Sequence, residues 1–568
     1  MWKFLILYLL LNSLFFLPRY ILERKNSSFF PWKGLVEGAL PQRIQYLINR
    51  FNYDIFRVSS DLFWIVGLVL VFHLKVPTIY VFIPLFLLWA YHLYYHIFEN
   101  IYKVEPLFYR DFLLLKTGAQ LFFRELTLTN VAIFFGVIVV GMGFYYLLDA
   151  ILELGRNIDF PLWLKTGFGG ITLMTIYSLF IYNYKAYGKI VFPWSIQSLW
   201  RNIRQSISTK KYMEQFDFKK LSAHRPYQNI RLRRRPNIYF IPIESYGKIL
   251  LTHPGLKDDY RRFIPRVQQS MEEGGWSVAS HLSTAPITGG ASWVSYTTAL
   301  FGFDIKDQGT YLTLLNKEEI REYQHLMRWF QQQGYRNFRL APIAGFKDMK
   351  IPWDTYRDFY AIDEWIKYEQ MNYGGALYGF GPCPPDQFSL YFAKNHIKGQ
   401  GAAPFFLFFI TQNSHSPFTP PYQVAQDWRQ LAKGTQYTNA TSSSIFVQPK
   451  LPDYAKAIQY QLSFLGDFIV KEGTANDIFV LIGDHQPPTF PTEKDGMETP
   501  IHIISKDRDF VRNFGEYGFT QGLLADIATP PMKHQGFFSM FVRELARSYG
   551  VKGSEIPPYR REGEGFFE

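Results

Sequence analysis

The sequence predicts a multi-span α-helical membrane domain, residues 1–185, followed by an α/β domain with a mostly parallel sheet, residues 236–550. Apolar residues make up 48% of the 568-residue chain, but most of the long apolar runs lie before residue 190. After residue 236, short apolar runs alternate with stretches of helical pattern, as in parallel sheets whose strands are joined by helices. We expect a basic juxtamembrane linker at 186–235 and a C-terminal tail at 551–568.

Five apolar segments in the N-terminal domain approach the length of about 20 residues that a bilayer-spanning helix needs. The segments are Trp2–Leu22, Ser59–Val76, Thr78–Phe98, Val131–Leu152 and Leu162–Ile181. No small-x-small cleavage pattern follows the first segment, which we therefore interpret as an uncleaved anchor. The alternative is a set of buried core helices, which would need a large soluble partner to cover them.

The chain is basic, with a formal net charge of +12, and eleven Lys and Arg residues lie between Arg201 and Arg235. A basic balance fits nucleic acid, anionic lipid or an anionic substrate. Next to apolar spans we expect anionic lipid and no nucleic acid, with a solvated linker face as the alternative. The positive-inside rule would place the basic segments, and the α/β domain with them, in the cytoplasm.

Five short apolar runs bounded by turn residues predict buried parallel strands in the C-terminal domain. They are Ile238–Ile243, Phe338–Pro342, Phe405–Ile410, Ile478–Ile482 and Ile501–Ile504. Helical patterns cover Lys317–Gln333 and Tyr454–Lys471. The single cysteine, Cys383, excludes an intrachain disulfide and a cysteine-based zinc site.

Carboxylates and imidazoles follow three of these runs at the point where each predicted strand ends. Glu244 follows the first, Asn413 and His415 the third, and Asp484 with His485 the fourth. Ligands of open α/β sheets bind beyond the carboxyl ends of the strands. Two carboxylates and an imidazole suit a divalent metal such as Mn, Mg or Zn. Each residue alone fits a cap, an ion pair or a core histidine, and it is their joint occurrence that predicts a metal site.

A hydroxyl nucleophile is expected in the segment Ser283–Trp293, between the first strand and the next helix. Gly289 and Gly290 allow the backbone to approach a ligand closely. A helix that begins near Ser292 would direct free N–H groups at an anion, and a Thr288 hydroxyl beside a divalent cation would have a lowered pKa. The alternative is a glycine-rich helix entry with capping hydroxyls.

Together these residues resemble the sulfatase-like branch of the alkaline phosphatase superfamily, above all lipoteichoic acid synthases and related phosphoglycerol transferases. The resemblance covers about residues 236–510 and the five-span anchor. It implies an alkaline phosphatase-like fold and a metal held by Glu244, Asp484, His485 and the catalytic Thr288. Because the residues around Thr288 match loosely, Thr284 and Ser292 remain alternative nucleophiles.

The resemblance also implies substrate-binding residues. His415 matches the family's histidine before a Pro-Phe pair, and Asp348 lies five residues before Trp353, as in the family's headgroup pocket. The family's arginine two residues after that Trp is replaced here by Thr355, and Arg357 stands two positions further on.

The resemblance implies a metal-dependent transferase that moves a phospho-headgroup, of phosphoglycerol or phosphoethanolamine type, from a membrane lipid to an envelope polymer or glycan through a phosphothreonine. One divalent ion is expected, with Mn ahead of Zn and Mg. The alternative is a phosphate-ester or sulfatase-like hydrolase with the same site, although Cys383 lies outside any Cys/Ser-x-Pro-x-Arg motif of the kind that true sulfatases modify. Family members act outside the cytoplasm, so we expect a multi-pass membrane protein with an extracytoplasmic catalytic domain, against the charge pattern.

Overall fold

The computed structural model describes the chain except for residues 1, 19–58, 72, 103–105, 110, 113–127, 159, 171–194, 345–351, 379–381, 417, 419–422, 434–448, 492–494, 554 and 567–568. The chain divides into two compact units. One consists of Met1–Asn100 and Val104–Lys211, and the other of Ile101–Lys103 and Tyr212–Glu568.

The first unit is helical, as predicted. Its named helices are α1 (Trp2–Phe15), α2 (Ser60–Val71), α3 (Thr78–Tyr102), α4 (Leu128–Arg156) and α5 (Ser195–Gln215). Helices α1 to α4 share a buried apolar core that includes Leu11, Leu62, Leu85 and Leu148. Apolar side chains therefore hold this unit together, as the sequence pattern indicates.

Two stretches among the described residues are long and apolar enough to cross a membrane, Thr78–Phe98 and Phe134–Arg156. They match the third and fourth predicted spans. Helices α1 and α2 are shorter than the first two predicted spans, because α1 ends at Phe15 and α2 covers only 12 residues. The fifth prediction is helical over 162–170, and its remainder lies outside the described residues.

The second unit is an α/β domain built on a nine-stranded sheet. The strands are β1 (Asn237–Ile243), β2 (Ser277–Thr284), β3 (Arg336–Ala341), β4 (Glu364–Lys367), β5 (Phe405–Phe409), β6 (Asp477–Gly483), β7 (Glu498–Ser505), β8 (Thr520–Gln521) and β9 (Met532–Lys533). Their order is β4-β3-β5-β1-β6-β7-β2-β8, and β9 pairs with β2. The helices are α6 (Phe218–Ala223), α7 (Ile249–Thr252), α8 (Lys257–Glu273), α9 (Ser292–Phe301), α10 (Gln308–Leu315), α11 (Leu326–Gln332), α12 (Trp353–Tyr360), α13 (Asp386–Gly399), α14 (Leu451–Glu472), α15 (Arg508–Asn513) and α16 (Phe537–Tyr549).

All five predicted strands are present, and β1, β3, β4, β5 and β6 pair in parallel. The prediction that the run Ile501–Ile504 is a parallel strand is wrong, because β7 runs antiparallel to β6 and to β2. Only residues 484–497 join β6 to β7, which is short for a helical crossover, and the described residues of this connection form no named helix. The chain therefore returns in the antiparallel direction. The sheet is nevertheless mostly parallel, as expected.

The prediction of one continuous helix over Lys317–Gln333 is also wrong. A 3-10 helix at Glu318–Glu322 ends before α11 begins at Leu326. The break lies at His325, whose side chain accepts a hydrogen bond from the backbone of Arg328 and so caps α11, while its ring stacks on Phe301 at 4.4 Å. The predicted helix Tyr454–Lys471 is confirmed within α14.

Candidate active site

The two central strands bring the predicted metal ligands together. Strands β1 and β6 pair in parallel over seven residues, ending with Ile243 opposite Gly483, so that Glu244 and Asp484 leave the sheet side by side. A Cβ at Gly483 would lie 2.0 Å from the Tyr246 carbonyl oxygen, and only glycine allows this close approach. One ligand atom from each of Glu244, Asp484 and His485 lies within 4.8 Å of the others, and all three residues are buried.

Backbone geometry orients the Asp484 carboxylate. Ser245 adopts φ 60° in the left-handed region, and its N–H donates to Asp484 Oδ1 at 2.8 Å. The His485 N–H donates to the same oxygen at 2.7 Å. The second oxygen, Oδ2, is buried and has no hydrogen-bond donor among the described residues, although His485 Nε2 lies 3.4 Å away. A buried carboxylate oxygen with no donor fits a cation ligand, because leaving such an atom unsatisfied is costly.

The His485 ring is also held in one orientation. Its Nδ1 lies 2.8 Å from the Gln486 carbonyl oxygen, which can only accept, so Nδ1 carries the proton. In the neutral ring the lone pair of Nε2 therefore faces the carboxylates, at 3.6 Å from Glu244 Oε1. A carbonyl that fixes the tautomer in this way is usual behind a metal-binding histidine.

The electrostatics of the cluster also favour a cation. Burial, followed by the charge of Glu244, raises the pKa of Asp484 to about 8. Burial opposes the charged form of His485 too, but the charges of Asp484 and Glu244 outweigh it and raise the pKa of this histidine. Burial likewise opposes ionisation of Glu244, yet His415 and His485 lower its pKa. Two buried carboxylates thus retain a proton that a divalent cation would displace.

A serine hydroxyl lies against this cluster. Helix α9 begins at Ser292, as predicted, after three consecutive residues with positive φ: Gly289 at 74°, Gly290 at 149° and Ala291 at 57°. Ser292 Oγ donates to Glu244 Oε2 at 2.9 Å and lies 3.2 Å from His485 Nε2. The helix N-terminus places free N–H groups and a positive dipole end beside the same point.

Thr284 and Thr288, the two threonines considered as the nucleophile, make no such contacts with Glu244 or His485 among the described residues. Thr288 is buried in the loop before α9, and Thr284 is the last residue of β2. Within the described part of the chain, no hydrogen bond joins either hydroxyl to Glu244, Asp484 or His485. The turn at 289–291 carries the chain past Thr288 and presents Ser292 instead.

The predicted substrate-binding residues differ from one another in burial and in the groups that they contact. His415 is half-buried, its Nδ1 lies 2.8 Å from the Ser416 carbonyl oxygen, and its charge acts on Glu244. Trp353 begins α12 and packs against Trp365 with ring centroids 4.7 Å apart. Arg357 is half-exposed and forms ion pairs with Asp354 at 2.9 Å and Asp358 at 3.2 Å. Asp348 lies outside the described residues.

Sequence reasoning missed the polar groups that fix the ligand loops. Thr411 Oγ1 accepts the Glu244 N–H at 3.0 Å, and Ser414 Oγ donates to the Glu244 carbonyl at 2.7 Å. Asp386 accepts from the backbone of Gln412 and Asn413, each at 2.7–3.0 Å, and holds the loop that carries His415. The clustering of Thr411, Asn413 and Ser414 directly after β5 was the available signal.

Residues 236–509 match the family model described as sulfatase. We name this part of the chain the sulfatase-family domain after the model that it matches. The match confirms the resemblance drawn from the strand-end motifs, and the sulfatase-family domain contains every metal-ligand candidate. No curated protein matches the chain.

Three of the solved structures that are similar to the chain are a synthase and two transferases. The lipooligosaccharide phosphoethanolamine transferase EptA of Neisseria meningitidis is 14% identical with a TM-score of 0.44, and the alignment covers 95% of each chain. The lipoteichoic acid synthase LtaP of Listeria monocytogenes is 12% identical with a TM-score of 0.36, and the alignment covers 62% of this chain and 80% of that one. The Streptococcus pyogenes phosphoglycerol transferase GacH is 13% identical with a TM-score of 0.34, and the alignment covers 62% of this chain and 86% of that one.

Proposed function

We propose that the chain is a metal-dependent transferase that moves a phospho-headgroup, of phosphoglycerol or phosphoethanolamine type, from a membrane lipid to an envelope acceptor. One observation carries the proposal: the Ser292 hydroxyl lies within hydrogen-bond distance of both Glu244 and His485 at a helix N-terminus. Glu244, Asp484 and His485 would hold one divalent cation, Mn before Zn or Mg. When bound, such a cation neutralises charge on a phosphate group and lowers the pKa of a neighbouring hydroxyl.

Ser292 acts as the nucleophile in this proposal, in place of Thr288. Its Oγ attacks the phosphorus of the lipid headgroup, and Glu244 Oε2, 2.9 Å away, is placed to take the hydroxyl proton. As the P–Oγ bond forms, the bond from phosphorus to the lipid alcohol breaks, and the alcohol leaves with a proton. The acceptor hydroxyl then attacks the phosphoserine, and Ser292 regains its proton as the P–Oγ bond breaks.

The N-terminus of α9 supports both steps through its charge. Negative charge develops on the phosphate oxygens in the transition state, and free N–H groups stabilise it without needing to reorganise. His415 would bind the transferred group from the β5 side, as proposed from the sequence. Trp353 and Asp348 remain proposals for the headgroup pocket.

The lipid donor and the membrane location form part of the proposal. Two apolar helices, Thr78–Phe98 and Phe134–Arg156, are long enough to anchor the chain in the bilayer that holds such a donor. We propose that the anchor is multi-pass and that the sulfatase-family domain acts on the extracytoplasmic side.

Hydrolysis of a phosphate ester by the same residues is the second candidate, with water in place of the acceptor. Sulfate-ester hydrolysis is disfavoured, because Ser292 is followed by Trp-Val-Ser rather than the x-Pro-x-Arg of a formylglycine site. Cys383 is buried, and its thiol donates to the Tyr378 carbonyl at 3.3 Å.

The test uses the full chain in detergent micelles that contain headgroup-labelled phosphatidylglycerol or phosphatidylethanolamine and a divalent metal. Release of diacylglycerol is expected from the wild type and from Thr288→Ala, which is the matched hydroxyl control, and is expected to be lost in Ser292→Ala. Mass spectrometry should find phosphate on Ser292 when no acceptor is present.

Two results would count against the proposal. Loss of turnover in Thr288→Ala with activity retained in Ser292→Ala would return the nucleophile to the threonine. A wild type that neither cleaves these lipids nor forms an adduct would refute the enzyme proposal. Addition of polyol or sugar acceptors separates transfer, which gives a phosphorylated acceptor, from hydrolysis, which gives only the free headgroup phosphate.

A further inference from the structure

A buried arginine in the sulfatase-family domain has no counter-charge among the residues that the structure describes. Arg339 lies in the middle of β3 and is only 9% exposed, and within the described chain it makes neither a hydrogen bond nor an ion pair. Its Nη1 is fully buried without a partner. Arg336, three residues earlier on the same strand, is by contrast half-exposed and paired with Glu364 at 2.6 Å.

Aromatic rings surround the Arg339 guanidinium. Its Cζ lies 3.6 Å from the centroid of the Phe408 ring and 5.4 Å from that of Tyr296. Burial lowers the pKa of Arg339, and the groups that favour its charge are the phenols of Tyr296, Tyr360 and Tyr311 rather than carboxylates. Arginine keeps its charge even so, and within the described part of the chain ring faces rather than carboxylates contact this buried cation. Such a group is costly to the fold unless an anion joins it.

The position of this cation relates it to the proposed nucleophile. Tyr296 and Ser292 are four residues apart on α9, so they lie on the same face of the helix and about 6 Å apart along its axis. Tyr296 is half-buried rather than enclosed, and its electrostatic neighbours include both Arg339 and Asp484. The unpaired guanidinium therefore lies against the ring of a residue that is one helical turn from Ser292.

We propose that Arg339 binds anionic oxygens of the phosphate ester and is a specificity-determining residue of the site around Ser292. The inference rests on the proposed function, because it assigns the ligand of that same site. A guanidinium offers a planar fork of donors that fits two oxygens of one phosphate group. Arg357 is less suited to the task, since Asp354 and Asp358 already neutralise it.

An arginine retained for a ligand and an arginine retained for structure predict opposite stabilities after replacement. Arg339→Met keeps the length and apolar contacts of the side chain and removes the unpaired charge, so the ligand-free protein should melt at a higher temperature than the wild type. A structural arginine would give a lower melting temperature. Arg336→Met is the control, because it breaks an existing ion pair and should not stabilise the chain.

The binding test measures the melting temperature of the full chain in detergent against inorganic phosphate, with the divalent metal present. Phosphate should stabilise the wild type and Arg336→Met alike. We expect the apparent phosphate affinity of Arg339→Met to fall by about 10- to 100-fold, the range for a lost charge-assisted hydrogen bond, and that of Arg339→Lys to fall less. kcat/KM for the phospholipid should decrease in the same order.

The outcomes separate this inference from the proposed function. A wild type that turns over the lipid, with unchanged phosphate affinity and kcat/KM in a folded Arg339→Met, overturns the role of Arg339 and leaves the enzyme proposal intact. A wild type that binds phosphate through Arg339 but never turns over a phosphate ester supports the anion site and refutes the enzyme. A lower melting temperature of Arg339→Met together with unchanged phosphate affinity identifies a structural residue and overturns the inference.

Discussion

Replacing Asp484 by Asn should stabilise the metal-free protein at pH 8 and abolish its response to metal. The amide keeps an oxygen to accept from the backbone of Ser245 and His485, which donate to Oδ1 at 2.8 and 2.7 Å. Its nitrogen takes the place of Oδ2, which has no donor, and faces His485 Nε2 at 3.4 Å as a donor. The substitution therefore removes a charge without leaving a new unsatisfied group.

The magnitude follows from the pKa of Asp484, which burial and Glu244 raise from 3.8 to about 8. Because the folded-state pKa lies above the unfolded one, protonation stabilises the fold. This contribution is complete below pH 4 and is lost as the pH rises through about 8. At 1.36 kcal/mol per pH unit, the loss is at most about 6 kcal/mol. The amide has no charge to desolvate, so the variant should escape most of this loss.

The assay is the thermal unfolding of the full chain in detergent between pH 5 and pH 8, with a chelator or with excess Mn²⁺. With the chelator, the melting temperature of Asp484→Asn should exceed that of the wild type by several degrees at pH 8 and by little at pH 5. Mn²⁺ should raise the melting temperature of the wild type and leave that of Asp484→Asn unchanged.

Asp477→Asn is the matched control, because it removes a buried carboxylate at the opposite end of β6. Asp477 Oδ2 accepts the Thr474 N–H at 2.7 Å, and an amide that loses this bond should destabilise the chain at both pH values while the metal response remains. An Asp484→Asn variant that is less stable than the wild type at pH 8, or that still responds to Mn²⁺, would contradict the assignment of Asp484 as a buried metal ligand.

Three further predictions concern the same domain. Metal affinity should rise about tenfold per pH unit up to about pH 8, because the metal must displace the Asp484 proton. Isothermal titration calorimetry at several pH values measures this, and an affinity that does not change with pH would show that no proton is displaced. Burial lowers the pKa of His502 to about 3, so the neutral histidine contributes stability that is fully present above pH 6.5 and is lost as the pH falls. Below pH 6.5 the midpoint of urea unfolding should therefore fall more steeply for the wild type than for His502→Gln. Ala291→Gly should stabilise the fold by about 0.5–1 kcal/mol and Ala291→Val should destabilise it by about 2 kcal/mol, because φ is 57° at this position; equal denaturation midpoints would contradict this.

The sequence revealed the strands that are uniformly apolar and the ligands that follow them. It did not reveal β2, because Ser277–Thr284 carries polar residues at positions that are buried in the sheet. Two of those residues find partners in other segments: Ser280 Oγ lies 2.6 Å from His502 Nδ1, and Ser283 Oγ lies 2.7 Å from His534 Nδ1. A pattern of apolar residues cannot anticipate partners that are more than 200 positions away.

The sequence also left open whether the hydroxyl of Thr288 or that of Ser292 faces the carboxylates. Both hydroxyls stand near the glycine pair, and family spacing favoured the first. Which hydroxyl faces the carboxylates depends on three consecutive positive φ values, and Ala291 is not a residue from which a left-handed conformation would be expected. The candidate ligands were easier to predict, because a parallel strand pair fixes where its next residues emerge.

The seven-residue pairing of β1 with β6 has a consequence for how the chain matures. A slip of one position would separate Glu244 from Asp484 and turn their side chains to opposite faces, so only correctly aligned strands create a cation site. Metal would then bind only to chains in which the two central strands are natively paired. A supply of the ion during biogenesis would stabilise the chains that have reached this pairing. Misaligned chains would remain empty and stay exposed to quality-control proteases.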